Sequence, residues 1–228
     1  MREIKFPLSA PKQRLLDTAE RLFAERGFEA VSVRDITGES KANVAAINYH
    51  FGSREGLIGL VVTYRMGPVM KERLARLETV EKKWASKAAP LEEILEAMLR
   101  PLAGNFRKSD LPEPLRCQLL GRIFTGQGVI FPQEIGQDMA NARHRFARLL
   151  AKALPSVSSE DLAWRAHFIT GGIIHLLMGR DAPPGEAGAP PAIETTLGRF
   201  IRFAAAGLRE GMPQETPGKA GPQAIFDF

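Results

Sequence analysis

Ser32-Val33-Arg34-Asp35-Ile36-Thr37-Gly38-Glu39-Ser40-Lys41-Ala42-Asn43-Val44-Ala45-Ala46-Ile47-Asn48-Tyr49-His50-Phe51 is the stretch on which the fold turns. Ser32 reads as a helix N-cap, and Asp35 stands where a reciprocal capping box needs its acid. A short helix is therefore expected over Val33 to Glu39. A turn near Lys41 follows. Asn43 is a second cap, opening a helix through Ala45, Ala46, Ile47 and Tyr49. Two short helices joined by a tight turn is the layout of a helix-turn-helix. Ile36 and Ile47 fall on the packing side, leaving Asn43, Val44, Ala45, Asn48 and Tyr49 to face outward. Small side chains at Ala45 and Ala46 would let that backbone approach a base edge. An ordinary pair of core helices has the same spacing, so this layout alone leaves both readings open.

The flanks are helical too. Lys12 to Arg26 places Leu15, Leu16, Ala19, Leu22 and Phe23 on one face, and Gly27 follows where a C-terminal cap often needs glycine. Ser53 is a third cap candidate, opening a helix through Leu57, Ile58, Val61 and Val62. Gly67-Pro68 predicts a kink or break in it. Further helices are expected over Leu91 to Phe106, Leu115 to Ile130, Pro132 to Leu154, Glu160 to Gly179 (capped by Ser159) and Ile193 to Glu210. Asp181 to Ala192, with four prolines and two glycines, reads as a linker, and the stretch from Pro213 as a loose tail. No strand alternation persists and no repeat recurs. The expected class is all-α, with a three-helix helix-turn-helix unit at the N-terminus and a helical body behind it.

Composition narrows the function. Among 228 residues there is one cysteine, Cys117, which excludes an internal disulfide and a cysteine-built zinc site. The longest near-continuous apolar run, Phe168 to Met178, is too short for a bilayer. Met1 to Ser9 shows no apolar leader core, and the reading is a cytoplasmic chain with no membrane partner. The net charge is +5, yet residues 1–60 hold nine Lys/Arg against eight Asp/Glu. Any nucleic-acid contact must then rest on a few placed cations. No nucleophile elbow, P-loop, dinucleotide glycine motif or His-Glu-x-x-His occurs, which argues against an enzyme. Gly126-Gln127-Gly128 lacks both the later glycine and a preceding strand. His167 and His175 lie about 80° apart around a helix, poor geometry for a shared metal, so neither metal nor cofactor is expected.

The residues in detail favour DNA. Ala19-Glu20-Arg21-Leu22-Phe23-Ala24-Glu25-Arg26-Gly27-Phe28, Ser32-Val33-Arg34-Asp35-Ile36 and Tyr49-His50-Phe51-Gly52-Ser53-Arg54-Glu55-Gly56-Leu57 resemble, in order and without a gap, the N-terminal DNA-binding domain of TetR-family transcriptional regulators. The chain departs from the usual pattern at the turn, where Ser40-Lys41-Ala42 replaces Ala-Gly-Val, and at Asn48, where a tyrosine is frequent. A narrower resemblance is to the PsrA-like subgroup, whose better-known members respond to fatty acids or acyl-CoA. It runs through Asn43 to Phe51, Leu119-Leu120-Gly121, Trp164 to Phe168 and Phe203 to Arg209.

That resemblance implies roles. Arg34 matches a position that can reach a base edge, and its fork suits guanine. Ser32 and Lys41 border the motif; Asn43, Val44, Ala45 and Asn48 are candidates for the groove floor. Tyr49 and His50 match phosphate-contacting positions, and Arg54, at a helix start, joins them. One such motif offers few contacts, so two copies on a twofold axis, about 34 Å apart or a multiple of it, are expected on a palindromic operator. The dimer face is assigned to the last two helices: Trp164, Phe168, Gly171, Gly172 and His175 on one, Phe200, Phe203, Ala204 and Gly207 on the other. The middle helices would form an effector pocket from Met98, Leu102, Phe106, Leu120, Ile123, Phe124 and Phe146, with Arg122 meeting an acidic group of an amphipathic effector. The chain is accordingly divided into a DNA-binding domain at 1–53, an effector and dimerisation domain at 54–211 and a tail at 212–228. The expected protein is a homodimeric repressor released by a small apolar or amphipathic molecule. A TetR-type activator, and a helical ligand carrier without operator binding, are the alternatives.

Overall fold

A computed structural model of the chain describes residues 8–104, 111–179 and 192–210. Those residues form ten helices and no strand: α1 (Ala10–Arg26), α2 (Val33–Glu39), α3 (Val44–Phe51), α4 (Arg54–Lys83), α5 (Leu91–Leu99), α6 (Pro101–Gly104), α7 (Glu113–Thr125), α8 (Gln133–Ala153), α9 (Ser159–Met178) and α10 (Ile193–Arg209). The linker over 181–191 and the tail over 212–228 lie outside the described residues, as does Phe106.

The first four helices begin and end for local reasons. Ser32 Oγ accepts from the Asp35 amide at 3.2 Å while the Asp35 carboxylate accepts from the Ser32 amide at 2.7 Å, the expected capping box. That carboxyl titrates below its usual range because the Ser32 hydroxyl and amide both donate to it. Asn43 Oδ1 takes the Ala45 amide at 3.0 Å and starts α3; Ser53 Oγ takes the Gly56 amide at 3.0 Å and starts α4. Leu15, Leu16, Leu22 and Phe23 of α1, Ile36 of α2, Ile47 of α3 and Leu57 and Ile58 of α4 are all buried in a common core.

Several boundaries differ from the sequence reading. Helix α4 runs unbroken for 30 residues with Pro68 inside it, because Met66, Val69 and Met70 are fully buried and hold the segment on both sides. Removing one rung costs less than unpacking that stripe would. The helix expected over 91–106 instead breaks between Leu99 and Pro101. The helix expected to reach Ile130 stops at Thr125, where Gly126 adopts φ +71° and caps it. Ser158, not Ser159, caps α9, its hydroxyl accepting from the Asp161 amide at 3.0 Å.

The body joins the N-terminal unit through charge as well as through packing. Glu20 of α1 is buried, and Arg65 of α4 grips both of its oxygens, one at 2.8 Å from Nε. Desolvation outweighs the arginine and raises the Glu20 carboxyl above its ordinary value. Helix α7 packs along α1, while α9 packs on α7 and on α10.

Candidate nucleic-acid interface and body

Helix α3 carries the outward face that the sequence predicts. Ile47 is fully buried, whereas Val44, Ala45, Asn48 and Tyr49 are exposed, Tyr49 at 86 %. Four exposed residues on an eight-residue helix, one of them a tyrosine almost wholly exposed among the described residues, form a surface that a duplex could meet. The Tyr49 and His50 rings meet edge-on at 4.9 Å, so the half-buried imidazole steadies the phenol. Ser32, Arg34, Lys41 and Asn43 are also exposed. Asn43 spends its carbonyl oxygen on the cap, which leaves its amide N–H groups for a groove contact.

Lys41 keeps the left-handed turn despite its side chain: its φ is +53°, the one positive value at a non-glycine among the described residues. Such a conformation costs about 1–2 kcal/mol for an L-residue with a Cβ. The Ala42 amide donating to the Thr37 carbonyl at 2.9 Å, and the Ser40 amide donating to the Ile36 carbonyl at 3.0 Å, tie the turn down.

Arg54 is a correction. Its Nε donates to the Val31 carbonyl at 3.0 Å and a second nitrogen donates to the Phe28 carbonyl. The guanidinium is turned inward to hold the α1–α2 loop, whose carbonyls have no helical partner, instead of reaching for a phosphate.

The larger correction is Arg122. Instead of facing an effector, its Nε donates to the Ala24 carbonyl at 2.8 Å and Nη2 to the Glu25 carbonyl at 3.0 Å. These are last-turn carbonyls of α1, which no later turn can satisfy. Gly27 admits the guanidinium: a Cβ there would lie 2.9 Å from Nη1, and φ +91° with ψ 161° is a region that essentially only glycine occupies. Gly128, in the loop after α7, presses likewise on Glu29 and Phe28. Arg122 is thus a joint between body and N-terminal unit.

Of the remaining pocket residues, Leu102, Leu120, Ile123 and Phe146 are buried in the core, and Met98 and Phe124 pack partly buried against it. The arginine that does face this cluster is Arg73 of α4, which the sequence reading passed over. It is buried and donates Nε to the Met98 carbonyl at 2.7 Å. Its position was legible, since Met66, Val69, Met70, Arg73, Leu77 and Val80 recur at helical spacing along one buried stripe. A groove of about 870 Å³ lies elsewhere, between α4 and α8, lined by Lys71, Leu74, Glu78, Asp138, His144 and Arg148 among others. No cluster of metal-binding side chains occurs among the described residues. None of the described helices is long and apolar enough to cross a membrane.

The last two helices divide the expected dimer face in two. Trp164, Phe168 and Phe203 are 50 %, 57 % and 75 % exposed, and Gly171, His175 and Gly207 are open to solvent with them. Trp164 and Phe168 stack at 6.0 Å. Gly172, Phe200 and Ala204 serve the chain itself: a Cβ on Gly172 would sit 2.7 Å from the Phe200 ring, and Ala204 is buried. The glycine pair therefore splits its work, Gly172 admitting α10 and Gly171 facing outward with nothing within 4 Å. An apolar groove of about 210 Å³ runs between Phe168, Ile169, Phe200, Phe203 and Leu208. Arg165 at its floor gives Nη1 to the Leu208 carbonyl at 2.7 Å, capping the end of α10.

A helix-turn-helix with a free outer face, carried on a helical body, is the architecture of a DNA-binding regulator. Two family models match the chain: "Bacterial regulatory proteins, tetR family" over residues 15–61 and "Tetracyclin repressor-like, C-terminal domain" over residues 96–207. The chain belongs to the TetR family. The uncharacterized HTH-type transcriptional regulator YerO of Bacillus subtilis is 29% identical over 100 residues, 44% of this chain and 32% of its own length. The HTH-type transcriptional repressor Rv3405c of Mycobacterium tuberculosis is 44% identical over 50 residues, 22% of this chain and 27% of its own. The alignments thus take in about a third or less of these curated relatives' length. The fold is shared over nearly whole chains with solved structures. The ketosteroid transcriptional regulator KstR2 of Mycobacterium tuberculosis superposes with a TM-score of 0.58 at 17% identity, covering 88% of this chain and 95% of that one. A transcriptional regulator of the TerR/AcrR family from Aquifex aeolicus gives 0.53 at 21%, covering 87% and 98%.

Proposed function

We propose that the protein is a sequence-specific DNA-binding transcriptional repressor that acts as a homodimer and leaves a palindromic operator when a small apolar or amphipathic molecule enters its body. The observation that carries this reading is the bare face of α3, with Tyr49 86 % exposed above a fully buried Ile47. A helix held so firmly from behind has no structural use for an exposed aromatic, whereas a phosphate backbone gives it one. Arg34 and Lys41 supply the nearby cations, and Val44, Ala45 and Asn48 the groove floor. The exposed Trp164, Phe168 and Phe203 support pairing through α9 and α10, and a pair is what two half-sites require.

Residues 1–53 serve as the DNA-binding domain, 54–211 as the effector and dimerisation domain and 212–228 as a tail. Effector binding shifts an equilibrium between two dimer arrangements by tilting α4, which joins the N-terminal unit to the body. The residue islands shared with the PsrA-like subgroup favour a fatty acid or acyl-CoA as effector.

The test is a gel shift against DNA upstream of the protein's own gene, repeated over a salt series. Binding should require both halves of a palindrome and weaken steeply with salt. Tyr49→Ala should weaken it at every sequence tested, and Asn48→Ala should relax sequence preference. No selective duplex binding at low salt would point to the ligand carrier and end the repressor reading.

A further inference from the structure

Arg73 has no use in the reading above. It sits midway along α4, 4 % exposed, on the stripe that α4 turns toward the centre of the body. Its surroundings are apolar or weakly polar. Nε donates to the Met98 carbonyl at 2.7 Å, Nη1 lies 3.9 Å from the Met70 sulfur, and the guanidinium carbon stands 6.0 Å from the Phe124 ring centroid. Among the described residues no carboxylate comes within ion-pair distance of it. Burial alone depresses the group, from 12.5 to about 10, with no opposing charge to offset it. At neutral pH it is still a cation.

A buried guanidinium normally comes with an anion, because a single carbonyl and a thioether return only part of the hydration it gives up. Glu20 shows how this chain meets that need elsewhere: its buried charge is gripped on both oxygens by Arg65. Arg73 has the Met98 carbonyl, at the break between α5 and α6, and beyond it the Met70 thioether and the Phe124 ring. Unbranched methionines repack readily around a guest. Leu102, Leu120 and Ile123 extend the apolar surroundings of the same cluster.

We propose that Arg73 is the headgroup anchor of the effector site, and that the effector is a carboxylate-bearing apolar molecule whose acid pairs with this guanidinium while its tail lies among Met70, Met98 and Phe124. This rests on the reading that the body binds an effector, and it names the ligand's chemistry and the residue that selects it. A bidentate carboxylate would supply the negative charge that no described residue brings to the guanidinium, taking parallel N–H bonds in place of the weak contact with the Met70 sulfur.

The experiment uses the full-length protein with decanoate, methyl decanoate and decanol, reading both the thermal midpoint and release from operator DNA. Decanoate should raise the midpoint, and its neutral counterparts should not. Arg73→Met should bind decanoate about 10–100-fold more weakly, the range expected for loss of a buried charge-assisted pair, and Arg73→Lys should retain part of it. Equal stabilisation of the wild type by all three probes, or decanoate binding undiminished in Arg73→Met, would overturn the assignment. The wild-type comparison decides the matter even if the variants fold poorly. Release of DNA by the neutral probes alone would sink the carboxylate assignment and leave the effector-responsive repressor standing. Stabilisation by decanoate alone without DNA release would uphold the anchor and refute induction.

Discussion

Replacing Arg122 with methionine keeps the aliphatic stem and removes the guanidinium that bridges the body to α1. Among the described residues, two charge-assisted hydrogen bonds are lost, to the Ala24 and Glu25 carbonyls at 2.8 and 3.0 Å. A charged hydrogen bond is worth about 1.5–3 kcal/mol when shielded. Only the first is part-buried here, and water can reach the second carbonyl once the arginine is gone. A fair total is about 2 kcal/mol, mostly from the Ala24 bond. For a chain of this size that is a fall of about 4–8 °C in the thermal midpoint. Gly27 supplies an internal control. Gly27→Ala adds a Cβ 2.9 Å from Nη1 at φ +91°, so its cost has a steric part that depends on Arg122 and a backbone part that does not. In the double variant the steric part should vanish while a backbone cost of about 1–3 kcal/mol persists. The cycle should therefore show a coupling of about 1 kcal/mol between two residues far apart in sequence. Scanning calorimetry of the four proteins is sufficient. An Arg122→Met midpoint within 1 °C of wild type, or strict additivity with Gly27→Ala, would mean the joint carries no load and that α1 and α7 are held by apolar packing alone.

Three further outcomes are expected. Lys41→Gly should raise stability by up to about 1 kcal/mol by relieving the left-handed strain, yet weaken DNA binding and lower the salt slope by about 1.8 for a dimer that loses one phosphate contact per subunit, which a chemical melt and a salt titration would separate. Phe203→Glu should yield a folded monomer by sedimentation and lose operator binding, since a charge replaces an exposed aromatic on the pairing face; a stable dimer would move that face elsewhere. Cys117 should react with iodoacetamide at pH 8 only after unfolding, because burial, aided by Glu113, pushes its thiol up to about 12. Rapid labelling of the native protein would contradict the packing of α7.

Local chemistry was enough to write the helix-turn-helix unit. The cap at Ser32 with its partner Asp35, the caps at Asn43 and Ser53, and the buried side chains Ile36 and Ile47 each depend on residues within a turn or two, so spacing alone places them. The free face of α3 follows, because a helix with one anchored side must show the other. The exposed aromatics of α9 and α10 were legible for the same reason, as periodic residues in excess of what one core can cover. Arginines were another matter. A guanidinium reaches several ångströms from its Cα, and what it meets is set by whichever helix packs alongside. Arg54 and Arg122 found orphaned carbonyls at the end of α1 and in its loop, and Arg73 found, among the described residues, a stretch of core with no carboxylate in reach. Gly172 likewise makes room for the ring of its own Phe200. Backbone order is a property of neighbours in the chain; the partners of long polar side chains are a property of neighbours in space, and for this protein they became visible only when the helices had been set against one another.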